Sequence, residues 1–126
     1  MADCILVIDD DPSIVHLLKE DLQAEGYTVI EGYDGQMALQ LARLHKPNLI
    51  ILDINMPLIN GIKALEYLRG LKETKSIPIL FLTGEASGNV PATLINAPRV
   101  AHLKKPIDLD DLNSIVHQFI EKYPLQ

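Results

Sequence analysis

The chain has little sulfur and little aromatic surface. It carries one cysteine, Cys4, and no tryptophan. A single thiol cannot close an internal disulfide, so a reducing compartment is expected. Cys4 opens an apolar run and reads as a small core residue. Only 5% of the residues are aromatic, so aliphatic side chains must fill the core. No apolar run approaches the ~20 residues of a membrane span, and no membrane partner is expected. Positive charge is also scarce. Eleven Lys and Arg stand against 17 Asp and Glu, a formal net charge of -6. A nucleic-acid binder would carry a basic footprint, so direct nucleic-acid binding is not expected. Met1-Ala2-Asp3 lacks the basic region of a secretory signal, which with the lone thiol suggests a cytoplasmic protein. Gly-rich dinucleotide and Walker loops are missing. His16, His45, His102 and His117 lack metal-site spacing. What remains is 126 residues of ordinary globular composition, 48% hydrophobic, which is enough for one domain over 1–126 with a real core.

Three apolar runs stand out: Ile5-Leu6-Val7-Ile8, Leu49-Ile50-Ile51-Leu52 and Ile79-Leu80-Phe81-Leu82. Runs of this length without alternation read as strands buried on both faces. Tyr27 to Glu31 is a shorter strand with a polar end, as suits a sheet edge. Val100 to Leu103 reads as a fifth strand. Helical spacing lies between them. Ile14, Leu17, Leu18 and Leu22 form one stripe after Pro12, which suits a first helical turn. Met37, Ala38, Leu41 and Leu44 form a second, capped by Asp34. Ile62, Leu65 and Leu68 form a third after Gly61, and Leu112, Ile115, Val116, Phe119 and Ile120 a last one. Between residues 85 and 98, Gly88, Pro91 and Pro98 leave room only for a short helix near 91–97. Five strands alternating with five helices predict an α/β fold, a doubly wound parallel sheet. The flavodoxin-like strand order 2-1-3-4-5 would set the first and third strands side by side, with the ligand-binding switch point between them.

The inner strands all end in polar groups. The first gives Asp9 and Asp10, the third Asp53, the fourth Thr83 and the fifth Lys105. A parallel sheet brings these ends to one edge. Three carboxylates crowded there repel, by roughly 4 kcal/mol for each pair ~4 Å apart at an effective dielectric of ~20. A divalent cation relieves the repulsion, and hard oxygen ligands suit Mg²⁺. Cation, lysine and hydroxyl together would hold a phosphoryl group, and one carboxylate could attack it to form an acyl phosphate. Singly, each residue also has an ordinary reading. Asp9 to Asp11 can start a helix, Asp53 a turn, Thr83 can end a strand and Lys104-Lys105 can be surface charge.

Taken jointly, Asp9-Asp10, Asp53 with Pro57 and Gly61 behind it, Thr83, and Lys105-Pro106 resemble the receiver domain of two-component response regulators, the chemotaxis receiver in particular. The resemblance implies that Asp53 accepts a phosphoryl group from the phosphohistidine of a histidine kinase or phosphotransfer protein. It implies that Asp10, Asp53 and the carbonyl of Asn55 bind Mg²⁺, with Asp9 acting through water. Thr83 and Lys105 would contact the phosphoryl group, and the Lys105-Pro106 bond would be cis. Asn55 and Glu85 would tune a slow self-dephosphorylation, and Gly84 would leave the phosphoryl site uncrowded. Such a protein is not a classical enzyme. It signals to a downstream protein by a change linking Thr83 to the last strand and helices.

Two positions depart from the family. His102 stands where an aromatic switch residue is usual, and Pro91 and Pro98 disturb the segment before the last strand. A different reading is a binding module with this fold that works without phosphorylation. A haloacid-dehalogenase-like phosphatase would want a second Asp where Asn55 stands. A flavin carrier would want a phosphate loop where Asp9-Asp10-Asp11 stand.

Overall fold

The computed structural model describes residues 3–84 and 97–124. Its strands are β1 (Cys4–Ile8), β2 (Thr28–Gly32), β3 (Leu49–Asp53), β4 (Ile79–Thr83) and β5 (Val100–Lys104). They form one sheet in the order β2-β1-β3-β4-β5, with every pair parallel. Parallel neighbours need crossovers, and the helices supply them. Among the described residues these are α1 (Pro12–Ala24), α2 (Gly35–His45), α3 (Gly61–Arg69) and α4 (Leu109–Lys122). The short helix expected near 91–97 lies, except for Ala97, outside the described residues. No described helix is long and apolar enough to cross a membrane.

Strand alternation divides the core. Leu6, Ile8, Ile50, Leu52 and Phe81 face α2 and α3, where Ala38, Ala42, Ala64 and Leu68 meet them. Ile5, Val7, Ile51, Leu80 and Leu82 face α1 and α4, where Val15, Leu18, Leu112 and Val116 meet them. All five residues of β3 are buried, because the strand is central and covered on both faces. Each such aliphatic side chain contributes about 1.5–3 kcal/mol relative to exposure. Phe81 is the only buried aromatic among the described residues, in keeping with the low aromatic content.

The helix starts are capped as their sequences suggest. Asp11 accepts the N–H of Ser13 at 2.9 Å, Asp34 that of Met37 at 2.7 Å, and Asp108 that of Asp110 at 2.9 Å. Asn60 does the same for Lys63 at 2.9 Å. Beyond α1, Gly26 adopts a φ of 97°, which L side chains rarely reach.

Two inward stripes differ from expectation. In α1, Val15, Leu18 and Leu22 are buried, while Leu17 is 45% exposed. In α2, Ala38 and Ala42 face the sheet, and Leu44 is 74% exposed. Successive helical residues are rotated by about 100°, so Leu17 turns away from the Leu18 face and Leu44 lies nearly opposite Ala42. The apolar pattern alone did not say which stripe faced inward.

The turn after β3 is held tightly. Gly61, the first residue of α3, donates its N–H to Ile54 O at 2.9 Å. A Cβ on Gly61 would stand 2.5 Å from Asp53 O and 2.9 Å from Ile54 Cα. Both are backbone atoms and cannot swing aside. Gly61→Ala is therefore expected to lower stability by about 1–3 kcal/mol, seen as an earlier urea midpoint. Gly70→Ala is the control, since its Cβ would meet nothing closer than 3.5 Å and φ there is -83°. It should leave the midpoint unchanged or raise it by up to about 1 kcal/mol.

Candidate functional site

The carboxyl ends of β1, β3, β4 and β5 meet at one edge of the sheet. In the register, Ile8 pairs with Leu52, Asp53 with Leu82, and Thr83 with Lys104. Asp9 and Asp53 therefore leave adjacent strands at the same level. Asp9 is wholly buried and Asp53 is 3% exposed, whereas Asp10 is exposed. One carboxylate oxygen from each of Asp9, Asp10 and Asp53 lies within 4.8 Å of the others.

Lys105 reaches this cluster from beyond β5. Its Nζ stands 3.0 Å from Asp9 Oδ2 and 3.4 Å from Asp53 Oδ1. The Lys105-Pro106 peptide bond is cis, and the Lys105 N–H donates to Thr83 O at 2.6 Å. That bond ties the end of β4 to the residue carrying the ammonium group. Backbone donors serve Asp9 through its other oxygen and Asp53 through the same one. Asp11 N–H donates to Asp9 Oδ1 at 2.9 Å, and Asn55 N–H donates to Asp53 Oδ1 at 3.2 Å. Asp9 Oδ2 is buried and accepts no well-aligned hydrogen bond, although the Lys105 ammonium stands beside it.

The electrostatics follow from this crowding. Burial, and then the charge of Asp9, push the Asp53 carboxyl up to about 6, against the opposing pull of Lys105 and the Asn55 N–H. Burial pulls the Lys105 ammonium down. The hydrogen bond and charge of Asp9, reinforced by Asp53, outweigh it and leave Lys105 raised. One lysine therefore neutralises only part of a three-carboxylate cluster. The under-satisfied Asp9 oxygen, the raised Asp53 and the exposed Asp10 together fit a hard divalent cation entering from solvent.

Asp9, Asp10, Asp53, Asn55, Thr83 and Lys105 all lie at this edge. Asp9, Asp10, Asp53 and Lys105 are gathered closely. Thr83 is half-buried at the end of β4, and Asn55 is exposed two residues beyond Asp53. His102 lies on an exposed position of β5, opposite Phe81 in the register. Glu85 lies outside the described residues. Sequence reasoning set Lys105 against the phosphoryl group and missed its approach to Asp9. No local signal gives it, because the two residues stand 96 positions apart in a chain of 126.

A raised Asp53 pKa has a definite consequence for stability. The folded state holds this proton more tightly than the unfolded chain. Metal-free stability therefore falls as pH rises from about 4 to about 6, by of order 2–3 kcal/mol, and stays lower above that range. Asp53→Asn removes the buried charge. In EDTA at about pH 7 it should melt several degrees above wild type, and the gap should close toward about pH 4, where wild-type Asp53 is protonated. Thermal unfolding followed by circular dichroism across pH measures both.

Comparison with known proteins agrees with this architecture. The family model described as the response regulator receiver domain matches residues 5–117. The uncharacterized transcriptional regulatory protein YrkP of Bacillus subtilis is 36% identical over 125 residues, 99% of this chain and 52% of its own length. The chain thus spans about half the length of such curated relatives. The CheY-like receiver domain protein of Methanospirillum hungatei superposes with a TM-score of 0.87 at 27% identity, covering 98% of this chain and 97% of its own. The receiver domain of the sensor histidine kinase PA1611 of Pseudomonas aeruginosa shares the fold, with a TM-score of 0.82 at 24% identity, covering 96% of this chain and 99% of its own; that protein holds a magnesium ion in its active-site cleft. With its fold, its clustered acids and the family model in agreement over most of its length, the chain belongs to the response regulator receiver domain family.

Proposed function

We propose that this receiver is switched by phosphorylation of Asp53, with the phosphoryl group supplied by a phosphohistidine on a histidine kinase or phosphotransfer protein. The observation that carries this is the pairing of buried Asp53 with Lys105 in a cluster that is short of positive charge. An Asp53 oxygen attacks phosphorus, the P–N bond to the donor imidazole breaks, and its electron pair stays on the ring nitrogen. The product is an acyl phosphate. With its pKa near 6, Asp53 is mostly ionised at neutral pH and available to attack.

The other residues position and neutralise. Asp9, Asp10, Asp53 and the Asn55 carbonyl are the groups that would hold Mg²⁺, which when bound supplies positive charge to the transferring phosphoryl oxygens. Lys105, already 3.4 Å from Asp53 Oδ1, pairs with a phosphoryl oxygen as the transfer adds charge. Thr83 offers a hydroxyl one strand away. Once Lys105 is drawn toward the new phosphate, its N–H bond to Thr83 O transmits the change to the end of β4 and to β5, where His102 lies. Asn55, exposed beside Asp53, bears on slow hydrolysis of the acyl phosphate. A downstream protein reads the altered β5 surface.

Incubation with acetyl phosphate and MgCl₂, followed by intact-mass measurement, tests this. One phosphate should be added to wild type, none in EDTA and none in Asp53→Asn. Unlabelled wild type, or undiminished labelling of Asp53→Asn, would leave a phosphorylation-independent binding module as the better description. Metal binding has its own measure. Asp10→Asn should weaken magnesium affinity by at least about tenfold in calorimetric titration, since loss even of groups behind the ligands costs that much.

A further inference from the structure

The strands begin at the sheet edge opposite Asp53. There, the loops before β3, β4 and β5 and the end of α4 enclose a cavity of about 320 Å³. Lys46, Lys72 and Arg99 supply three cations to it, Ser76 a hydroxyl, and Ile77 and Pro124 an apolar wall. Among the described residues, Glu73 is the only carboxylate on the lining. Two adjoining concavities share these walls. One shares Lys46 and Glu73 and adds Arg43; the other shares Arg99 and adds Arg69 and Lys75. Six of the 11 Lys and Arg of a chain with net charge -6 are thus gathered at one pole, around a single acid among the described residues.

None of these six makes an ion pair with a carboxylate among the described residues, where the salt bridges use Lys19, Lys63, Lys105 and two histidines. Two are also held in place. Arg69 donates to Ile77 O at 2.7 Å and to Arg99 O at 3.3 Å. Burial, and then the charge of Arg99, lower it to about 10. Arg99 sits at a φ of 63° and its carbonyl accepts the Ile79 N–H at 2.8 Å. Its guanidinium lies over the Tyr123 ring, 4.9 Å from the centroid. A ring holds a guanidinium without consuming its N–H donors as a carboxylate would. A solvated lysine surface accounts for exposed Lys72 and Lys75. It does not account for a concave wall with a ring-held arginine, a half-buried arginine beside it, and no ion-paired carboxylate among the described residues.

We propose that this cavity binds a small phosphate-bearing anion, with Lys46, Lys72 and Arg99 pairing its oxygens and Ser76 donating a hydrogen bond. The volume lies at the small end of ligand pockets, which suits a diphosphate or a nucleotide. A polynucleotide is disfavoured, because it would meet the repulsion of the acidic remainder of the molecule. The site is separate from Asp53, so the proposal stands or falls independently of phosphorylation there.

Titration of the ¹⁵N-labelled chain in EDTA with inorganic pyrophosphate, against NaCl at matched ionic strength, tests it. Saturable amide shifts are expected at Lys46, Lys72, Ser76 and Arg99, and not at Asp9, Asp53 or Lys105. Lys72→Glu should weaken binding by about tenfold or more, as loss of a charge-assisted contact does. Arg99→Gly should do the same while accepting the positive φ, and the remaining spectrum reports that each variant is folded. Tighter binding of ADP than of pyrophosphate assigns the ligand as a nucleotide, and equal binding assigns it as the inorganic anion. Shifts reproduced by NaCl, shifts confined to the Asp53 edge, or binding of a DNA oligonucleotide without binding of pyrophosphate would overturn the proposal.

Discussion

The site depends on one ammonium group placed between two buried carboxylates. Asp9 and Asp53 end adjacent parallel strands, and neither has enough exposure to be stabilised by water. Without Lys105 the sheet would hold two uncompensated charges at its most enclosed point, at a cost that buried ion pairs show to be several kcal/mol. With Lys105 the charge is balanced only in part, and Asp53 remains raised. That residual imbalance is the chemical property that matters. A fully neutralised cluster would have no need of a cation, whereas this one keeps negative charge that a bound cation would relieve.

The surrounding fold exists to hold that imbalance. β3 is buried along its whole length, so the backbone carrying Asp53 has no freedom to relax toward solvent. Gly61 brings the start of α3 against the Asp53 carbonyl, at a distance no side chain would allow. Lys105 is fixed from the other side by its N–H bond to Thr83 O. The same bond joins the charged residue to the ends of β4 and β5. Under the proposed function, that bond is the route by which a change of charge at Asp53 would reach the strand that bears His102.

Parallel strands also give the molecule two chemically different poles. At the carboxyl edge, acids gather around one lysine. At the opposite edge, six cations gather around one acid among the described residues. A net charge of -6 hides this separation, because it sums over both poles. The sequence-level expectation that direct nucleic-acid binding is absent rests on this summed charge, which does not describe either pole.

Much of the architecture was legible in the sequence, for a physical reason. Four-residue aliphatic runs such as Leu49 to Leu52 cannot be left in water, and their regular spacing with helical stripes admits few topologies. The polar residue at each strand end followed, and so did the cap residue Asp34. The inward faces of α1 and α2 were not legible, since Leu17 and Leu44 are as apolar as the residues that are buried. Lys105 approaching Asp9, Gly61 lying under Asp53, and the gathering of Lys46, Lys72 and Arg99 were likewise beyond it. Residue type and spacing by themselves determined which strands and helices form, and that acids would crowd one sheet edge. Only the tertiary structure decided which charge meets which, because that depends on contacts between residues far apart in the chain, whose distances no local pattern encodes.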